Sequence, residues 1–270
     1  MRNSVSAMRK TFKLGIAIVA WIFRMITLPF VHTPEVVVLM YHAVNRSGWK
    51  LAVSPEEFER QMRCIASMAV PLTDVVLYAK RERSLPPRAV AVTFDDGYED
   101  VLTTALPILE RYHIPATVFI PSDLSVQTDS GGTPRLTEGD VRTLDQSPLI
   151  MIGSHAETHR KFTELSSEEV RSEAEGSAEA LARMTGERPC FFAYPFGARG
   201  EEAERAVKEV GYEAAFSITE GTISPGDDLF RLKRVQIDST MNFSLFRMRL
   251  TRAVDWNRRI VDTFRAMMPV

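Results

Sequence analysis

Two adjacent carboxylates, Asp95 and Asp96, directly follow a mostly apolar run, Val90–Phe94, and precede a glycine. A buried strand that ends in this way presents polar side chains at its carboxyl end. An ionised carboxylate that is buried without a partner costs several kcal/mol or more. We therefore predict that a cation, either a metal ion or a basic side chain, lies beside this pair.

Two histidines, His155 and His159, follow a second apolar run, Leu149–Gly153. Their i, i+4 separation predicts that both imidazoles lie on one side of a helical turn. Two imidazoles and one carboxylate are a common ligand set for a divalent metal, with positions left open for water and substrate. Asp96 can supply the carboxylate, and Asp95 can act beside it as a general base.

The elements that must position these residues alternate between strands and helices through most of the chain from Glu35 to Ser217. This alternation predicts an α/β fold of parallel βα units. About seven units suit a closed or nearly closed barrel, and an open doubly wound sheet is the alternative. In both folds, ligands bind at the carboxyl ends of the strands. We predict strands at Glu35–Met40, Val90–Phe94, Ile114–Ile120, Leu149–Gly153, Cys190–Tyr194 and Tyr212–Ser217, and one within Leu229–Val235.

The bulk composition is that of an ordinary globular protein, with 270 residues, 45% apolar and 25% charged. A formal net charge of −2 gives no indication of nucleic-acid binding. The two cysteines, Cys64 and Cys190, match no metal or redox spacing. We predict that both are buried structural thiols.

Residues 1–34 differ from the rest of the chain, because a basic start is followed by the largely apolar stretch Leu14–Val31. That stretch has 18 residues, which is just enough to span a bilayer. No small-x-small cleavage site follows it. We therefore predict an uncleaved signal anchor, with the domain exported to the periplasmic or extracellular face. The alternative is an amphipathic helix that lies on the membrane or packs on the domain.

Residues 243–270 contain six arginines and two aspartates among regularly spaced apolar residues, which predicts one or two basic amphipathic helices. Such helices either lie on anionic lipid or pack over the barrel with a charged outer face. The chain is therefore divided into a membrane anchor at 1–34, an α/β barrel at 35–242 and a helical tail at 243–270.

Three short segments resemble the leading motifs of the polysaccharide deacetylases, carbohydrate esterase family 4. They read Thr-Phe-Asp-Asp-Gly-Tyr from Thr93, Ser-His-Ala-Glu-Thr-His from Ser154, and Tyr-Pro-Phe-Gly from Tyr194. The resemblance covers roughly Val36–Val235, with the motifs in the order that the family shows.

This resemblance implies a distorted (β/α)7 barrel with parallel strands and a metal-dependent hydrolase of carbon–nitrogen bonds other than peptide bonds. It implies that Asp96, His155 and His159 hold the metal, usually Zn²⁺, although such a ligand set also accepts Co²⁺, Ni²⁺ or Fe²⁺. It also implies that Asp95 is the general base and that the backbone N–H of Phe196 donates to the oxyanion.

Two features depart from the family pattern. Phe196 stands where a tyrosine is usual, and no histidine follows His159, although many members carry a late Leu-x-His whose histidine is the general acid. His42, directly after the first predicted strand, resembles the Tyr-His of circularly permuted members such as the exopolysaccharide poly-N-acetylglucosamine deacetylases. We therefore expect His42 to be the general acid. The alternative is a hydrogen-bonded residue at the rim of the site.

The remaining candidates lie near the same strand ends. Either Arg231 or Arg234 is expected to pair with Asp95 and keep it ionised, unless both are ordinary surface arginines. We expect four residues to contact substrate, namely Tyr41, Tyr98, Tyr194 and Pro195.

Together, these residues predict metal-dependent N-deacetylation of an N-acetylated glycan or glycolipid. The substrate is an acetyl-amino-sugar polymer, peptidoglycan or a lipid-linked sugar, and the sequence does not choose among them. The alternative function is a catalytically inactive barrel that binds glycan within a polysaccharide synthesis or export complex. A third function is hydrolysis of a non-sugar amide by an amidase or deformylase.

Overall fold

The computed structural model describes residues 35–126, 132–251 and 253–255. The strands are β1 (Glu35–Tyr41), β2 (Ala43–Val44), β3 (Ala52–Val53), β4 (Arg88–Phe94), β5 (Ala116–Ile120), β6 (Ile150–Ser154), β7 (Phe191–Ala193), β8 (Ala214–Phe216) and β9 (Val235–Gln236). Seven of them form one parallel sheet in the order β8–β7–β6–β5–β4–β1–β9, and β2 pairs with β3 separately. The predicted α/β class with parallel strands is confirmed.

Helices are interleaved with these strands. They are α1 (Pro55–Ile65), α2 (Leu72–Ala79), α3 (Leu106–Tyr112), α4 (Glu138–Asp145), α5 (Ser167–Thr185), α6 (Glu201–Val210) and α7 (Phe243–Arg249). A π-helical turn, Val101–Ala105, leads into α3. The α5 helix begins with a capping box, in which Ser166 and Glu169 satisfy each other's backbone N–H groups. It ends at Gly186, whose φ of 89° is the left-handed conformation that suits glycine.

The central strands are buried on both faces, which explains why β1 and β4 are nearly continuous apolar runs. Successive side chains of a strand point to opposite faces. On one face, Val37 and Leu39 of β1 belong to a cluster that includes Phe58 of α1 and Leu109 of α3. On the other face, Val36 and Val38 belong to a cluster with Val75 of α2, and with Phe216 and Leu232 from the far edge.

The sheet is a curled half-barrel, with the very short strands β8 and β9 at its two edges. The segment before β9 comes close to the opposite edge. Leu232 forms an isolated parallel bridge with Phe216 of β8, and Ser217 N–H donates to the Leu232 carbonyl at 2.9 Å. Three residues later, Val235 pairs with Leu39 of β1. The chain therefore contacts the β8 edge just before it forms the opposite edge as β9, without a continuous ladder between the two edges.

The two ends of the chain were predicted to be helical extensions. The predicted anchor, Leu14–Val31, lies outside the described residues, and none of the helices described is both apolar and long enough to cross a membrane. Of the predicted tail, residues 243–251 and 253–255 are described, and Phe246, Leu250 and Val254 are buried in the same cluster as Phe58 of α1. The described part of the tail thus packs on the domain. The boundaries at 34 and 242 stay predictions.

The prediction for the cysteines is wrong for Cys190, which is exposed, while Cys64 is partly buried. Cys190 lies one residue before β7, outside the sheet ladder, so the apolar run that follows it does not bury it.

Candidate metal centre and active site

The end of β4 directs two neighbouring carboxylates to different partners. The Asp95 N–H donates to the Tyr41 carbonyl at 2.9 Å and so continues the strand pairing. Asp96 then adopts a φ of 74°, and Gly97 adopts 66°. Aspartate tolerates this left-handed conformation better than most residues, and glycine adopts it freely. Because the chain turns within two residues, the side chains of Asp95 and Asp96 separate although both are buried.

The partner of Asp95 is a fully buried arginine, Arg234, which lies directly before β9. Its two terminal nitrogens contact the two oxygens of Asp95 at 2.6 and 2.7 Å, in a bidentate ion pair. Its Nε donates to the Ser217 carbonyl, and Nη1 also lies 3.3 Å from the Thr93 hydroxyl. Arg234 is therefore the expected basic partner, whereas Arg231 pairs with Glu204 and Asp228.

This ion pair determines the charge of Asp95. Burial alone would raise the pKa of Asp95, but the guanidinium of Arg234 opposes it with the largest lowering effect. The ring of His155 acts in the same direction, and the net pKa of Asp95 lies below its usual value. The carboxylate is therefore ionised at neutral pH. The planar guanidinium of Arg234 contacts both oxygens, and this bidentate geometry fixes the orientation of the Asp95 carboxylate.

Asp96 faces the two histidines of the β6 loop, which we define as His155–His159. Its Oδ1 lies 3.4 Å from Nε2 of His155 and 3.1 Å from Nε2 of His159. One donor atom from each residue lies within 4.8 Å of the other two, and all three residues are buried. Burial would raise the pKa of Asp96, yet hydrogen bonds from the two imidazoles hold it well below its usual value. These residues form a buried triad of the kind that holds a divalent metal.

The tautomer of His155 supports this assignment. Its Nδ1 lies 2.7 Å from the Ala193 carbonyl, which can only accept, so Nδ1 carries the proton. Nε2 is therefore the ring nitrogen that faces Asp96 Oδ1, and without a metal it contacts the carboxylate through a proton of its own. A divalent cation would take the place of that proton. An imidazole fixed by a backbone carbonyl on its other nitrogen is a common arrangement of metal-ligating histidines.

Tyr98 supports the triad from the other side, and its contact with substrate stays a prediction. Its ring is fully buried, and its hydroxyl donates to Asp96 Oδ2 at 3.0 Å. The ring packs edge-on against Trp49, at 5.6 Å between centroids, and beneath the guanidinium of Arg135, at 4.9 Å. Tyr98 therefore fixes one oxygen of Asp96 while the other faces the histidines.

The β6 loop is not the helical turn that the i, i+4 spacing predicted. Ala156 and His159 have φ values of 64° and 57°, so the loop contains two left-handed residues and no helical hydrogen bonds within it. The two rings still come together, with centroids 4.9 Å apart. The prediction that the two imidazoles lie close together is therefore confirmed, whereas the prediction of a helical turn is wrong.

Comparison with known proteins adds an independent observation. The family model described as polysaccharide deacetylase matches residues 82–215. The protein YxkH of Bacillus subtilis (strain 168) is 28% identical over 212 residues, 77% of this chain and 74% of its own. The poly-beta-1,6-N-acetyl-D-glucosamine N-deacetylase of Staphylococcus epidermidis is 24% identical over 201 residues, 70% of this chain and 68% of its own. The structure of the Streptococcus pyogenes deacetylase PplD in complex with acetate superposes with a TM-score of 0.71 and 24% identity, covering 81% of this chain and 99% of that one.

The chain belongs to the polysaccharide deacetylase family. The predicted enzyme class, a hydrolase of carbon–nitrogen bonds other than peptide bonds, is confirmed with it. In this polysaccharide deacetylase, the buried triad coincides with the residues that the resemblance assigned to the metal.

His42 of this polysaccharide deacetylase is partly exposed and stands at the end of β1, edge-on to Trp49 at 6.2 Å between ring centroids. Its Nδ1 is buried and has no hydrogen-bond partner among the described residues. Burial lowers the pKa of His42 below its usual value, while the carboxylates of Asp96 and Asp95 act in the opposite direction. His42 is therefore within electrostatic reach of both carboxylates. Its role as a general acid stays a prediction.

The third motif of the polysaccharide deacetylase forms a tight turn after β7. Phe196 has a φ of 57°, and its side chain is 53% exposed, with its ring 4.7 Å from that of His159. Pro195 and Tyr194 are buried instead. The Tyr194 hydroxyl donates to the Phe230 carbonyl at 3.3 Å. The Tyr41 hydroxyl is likewise buried, and it donates to Gln61 at 2.8 Å. The substrate contacts of Tyr41, Tyr194 and Pro195 stay predictions, and in this structure each of the three side chains packs in the core.

Two polar residues of α5 near the site were missed by sequence reasoning. Glu173 and Ser177 are buried and contact the β6 loop and the end of β6, respectively. A signal was present, since both lie among the apolar positions Val170, Ala174 and Ala178 on the buried side of the helix. A glutamate at such a position needs a hydrogen-bond partner.

Proposed function

We propose that this chain is a metal-dependent N-deacetylase that hydrolyses acetyl groups from an N-acetylated glycan. The observation that carries the proposal is that two adjacent carboxylates have different partners. Asp96 faces two imidazoles, whereas Asp95 is bound to Arg234. The relative from Staphylococcus epidermidis, named for poly-beta-1,6-N-acetyl-D-glucosamine, supports an acetyl-amino-sugar polymer as the substrate class. Peptidoglycan and a lipid-linked sugar are the other candidates.

Asp96, His155 and His159 would hold the metal. Zn²⁺ is the ion proposed, because two imidazole nitrogens and one carboxylate oxygen are a ligand set that zinc enzymes use. Co²⁺, Ni²⁺ and Fe²⁺ are alternatives that the same ligands accept. Such an ion, when bound, polarises the amide carbonyl and lowers the pKa of a water from about 16 to about 7.

Asp95 accepts the proton of the attacking water in this proposal. A general base must be ionised, and the Arg234 guanidinium supports this by holding the pKa of Asp95 below its usual value. The guanidinium also occupies both carboxylate oxygens from one side, which leaves the remaining lone pairs for the water. Arg234 is therefore proposed to keep the base charged and oriented.

Two further groups complete the reaction. The backbone N–H of Phe196 stabilises the oxyanion that forms at the acetyl carbonyl, an effect of about 3–4 kcal/mol for a well-placed donor. Protonated His42 gives its proton to the amine nitrogen as the carbon–nitrogen bond breaks. The water's hydroxyl stays on the carbonyl carbon, so the products are acetate and a free amino sugar.

The decisive experiment measures acetate and free amine from β-1,6- and β-1,4-linked N-acetylglucosamine oligomers, with the purified chain. We expect stoichiometric release of both products, loss of activity after chelation, and recovery when Zn²⁺ is restored. His42→Ala is expected to lower kcat by about 10²-fold or more while Zn²⁺ binding is unchanged. Zn²⁺ lost from His42→Ala would instead make His42 part of the metal centre.

The competing function is a barrel that binds glycan without hydrolysing it. It is motivated by Phe196 in place of the usual tyrosine and by the absence of a histidine after His159. This alternative predicts glycan binding with no acetate released under any metal condition. Hydrolysis of non-sugar amides, with no release from any oligosaccharide, would favour the amidase or deformylase hypothesis.

We also propose that Leu14–Val31 anchors the protein in the membrane and that the domain is exported, since an apolar stretch of this length follows a basic start. Cell fractionation of the full chain and of a variant lacking residues 1–34 tests this. We expect the full chain in the membrane fraction, with the domain accessible to protease from the exported side. Recovery of the full chain in the soluble fraction would contradict the proposal.

A further inference from the structure

The β6 loop, which carries both histidines of the triad, is held by one buried glutamate of α5. Glu173 Oε2 accepts from the backbone N–H groups of Glu157 at 3.1 Å and Thr158 at 2.8 Å. The Thr158 hydroxyl donates to the other oxygen, Oε1. Glu173 is only 6% exposed. Both carboxylate oxygens of Glu173 therefore accept hydrogen bonds from the loop. The backbone N–H groups of this loop have no acceptor within a helical turn, so they need one from elsewhere.

The other side of the β6 loop is held by backbone alone. The carbonyls of Ala156 and Glu157 accept from the N–H groups of Ser122 and Asp123 at 3.1 and 3.0 Å, just after β5. The His155 N–H donates to the Ile120 carbonyl at 2.9 Å. The loop therefore lies between the end of β5 and α5. Of these two contacts, the one with α5 depends on a side chain that can be altered without changing the backbone.

This support matters because the loop conformation is unfavourable in isolation. Ala156 and His159 both have positive φ, in the left-handed region that side chains other than glycine, asparagine and aspartate avoid. Residues in such conformations keep them only where the surrounding structure determines them. When the partners of the Glu157 and Thr158 N–H groups are lost, the loop can relax to ordinary dihedral angles. That relaxation would turn the His159 ring away from Asp96.

The contact with α5 extends along one face of the helix. Glu173, Gly176 and Ser177 are spaced i, i+3 and i+4, so they share that face. The Ser177 hydroxyl is 2.7 Å from that of Ser154, the last residue of β6. A Cβ at Gly176 would lie 2.3 Å from a carboxylate oxygen of Glu157, so the missing side chain lets the loop approach the helix. Strand end and loop are thus attached to the same helix face.

We propose that Glu173 is a positioning residue of the metal centre, which holds the β6 loop so that His155 and His159 both direct a ring nitrogen at Asp96. The proposal rests on the proposed function of these three residues as metal ligands. Glu173 contacts neither the metal position nor the substrate position, and it acts through Thr158 and the loop backbone. Its loss should therefore weaken metal binding more than it slows the reaction of the metal-loaded enzyme.

The experiment compares Glu173→Gln with Glu179→Gln, an exposed residue of the same helix, in the full chain. Glutamine at 173 replaces the charged acceptor of the two loop N–H groups with a neutral amide oxygen, and its NH2 group takes the place of the oxygen that accepts from the Thr158 hydroxyl, so the hydrogen bonds to the loop weaken. The change at 179 has no such consequence. Zn²⁺ affinity is measured by competition with a chromogenic chelator, and thermal unfolding of the metal-free proteins is measured in parallel. We expect Glu173→Gln to bind Zn²⁺ about 10-fold to 100-fold more weakly, with Glu179→Gln unchanged. At saturating Zn²⁺, kcat of Glu173→Gln should return towards that of the unaltered protein.

The outcomes separate this inference from the proposed function. If the unaltered protein binds no stoichiometric Zn²⁺ or Co²⁺, the metal site itself fails, and the inference fails with it. If it binds Zn²⁺ and Glu173→Gln binds equally well, only the inference is overturned, even where thermal stability falls. Thr158→Val keeps the side-chain shape and removes the hydroxyl donor, and we expect a smaller loss of affinity from it. Should Glu173→Gln fail to fold, unchanged Zn²⁺ affinity in Thr158→Val would overturn the inference.

Discussion

The loop after β4, which we call the β4 loop and define as Asp95–Tyr98, and the β6 loop carry the residues of one site, but they are held in place differently. In the first, Asp96 takes the left-handed conformation, which aspartate tolerates, and Gly97 follows it. Tyr98, two residues further on, donates to the Asp96 carboxylate. A proposed metal ligand and a group that orients it therefore lie within three consecutive residues.

In the second loop, the residues with positive φ are Ala156 and His159, and neither is favoured there. The support comes from elsewhere in the chain. Glu173 is 15 and 16 residues away from the N–H groups that it accepts, and the other partners lie at the end of β5. The comparison shows that a loop can hold its proposed metal ligands either through neighbouring residues or through residues distant in the chain. It also predicts which substitutions will weaken metal binding in each loop.

The largest expected effect separates the base from the ligands. Asp95→Asn removes the carboxylate that we propose accepts the water's proton, so we expect kcat to fall by about 10²-fold to 10⁴-fold while Zn²⁺ still binds. The matched change in the β6 loop, His159→Gln, should remove Zn²⁺ binding as well as activity. Kinetics with an N-acetylglucosamine oligomer and metal analysis of each protein measure both effects.

Asp145→Asn, an exposed position on α4, serves as the control and should change neither quantity. Loss of stoichiometric Zn²⁺ from Asp95→Asn would contradict the division of roles, because it would make Asp95 a ligand. Retention of Zn²⁺ by His159→Gln would remove the β6 loop from the metal centre.

The next effect concerns the ion pair behind the β4 loop. Arg234→Met leaves the Asp95 carboxylate buried without its bidentate partner, so we expect the free energy of unfolding to fall by about 3–5 kcal/mol. The same change should raise the pKa of Asp95. Burial raises this pKa, and the Arg234 guanidinium is the group that opposes that rise most strongly. A base is lost as pH falls through its pKa, so the acid limb of the kcat/KM profile should move to higher pH. Denaturant unfolding and pH–rate profiles measure the two effects.

Arg188→Met provides the matched comparison, since Arg188 pairs with Glu175 at the surface, where both side chains are more than a third exposed. An exposed pair contributes about 0–1 kcal/mol, so little change is expected. Combining Arg234→Met with Asp95→Asn should recover part of the lost stability, because no unpaired charge then remains. Equal destabilisation by Arg234→Met and Arg188→Met would show that the buried ion pair contributes no more to the free energy of unfolding than the exposed one.

Much of the β4 loop could be predicted from the sequence because its determinants are close together. An apolar run followed by two carboxylates and a glycine indicates both the strand and its polar end. The need for a basic partner followed from burial alone. Whether Arg231 or Arg234 provides it could not be decided, because the two lie only three residues apart, just before the two-residue strand β9. The register of so short a strand is set by tertiary contacts.

The β6 loop was predicted less well for the complementary reason. The spacing of His155 and His159 is compatible with a helix, and a helical turn satisfies backbone groups locally. Here the N–H groups of Glu157 and Thr158 instead donate to Glu173, whose position along the chain gives no local signal at the loop. The surroundings of Tyr98 could not be predicted either from the motif that contains it. Its burial under Trp49 and Arg135 involves two other loops that the motif does not contain.

The smallest expected effect sharpens the contrast between local and distant support. Tyr98→Phe removes one hydrogen bond to Asp96 and keeps the ring, so we expect about 10-fold weaker Zn²⁺ binding. The loss should not exceed that of Glu173→Gln, because Glu173 accepts from three donors of the β6 loop. Tyr41→Phe removes a buried hydroxyl that donates to Gln61, away from the triad, and should leave Zn²⁺ affinity unchanged. If Tyr98→Phe instead raised KM at unchanged Zn²⁺ affinity, Tyr98 would act on the substrate, and the β4 loop would orient Asp96 through its backbone alone.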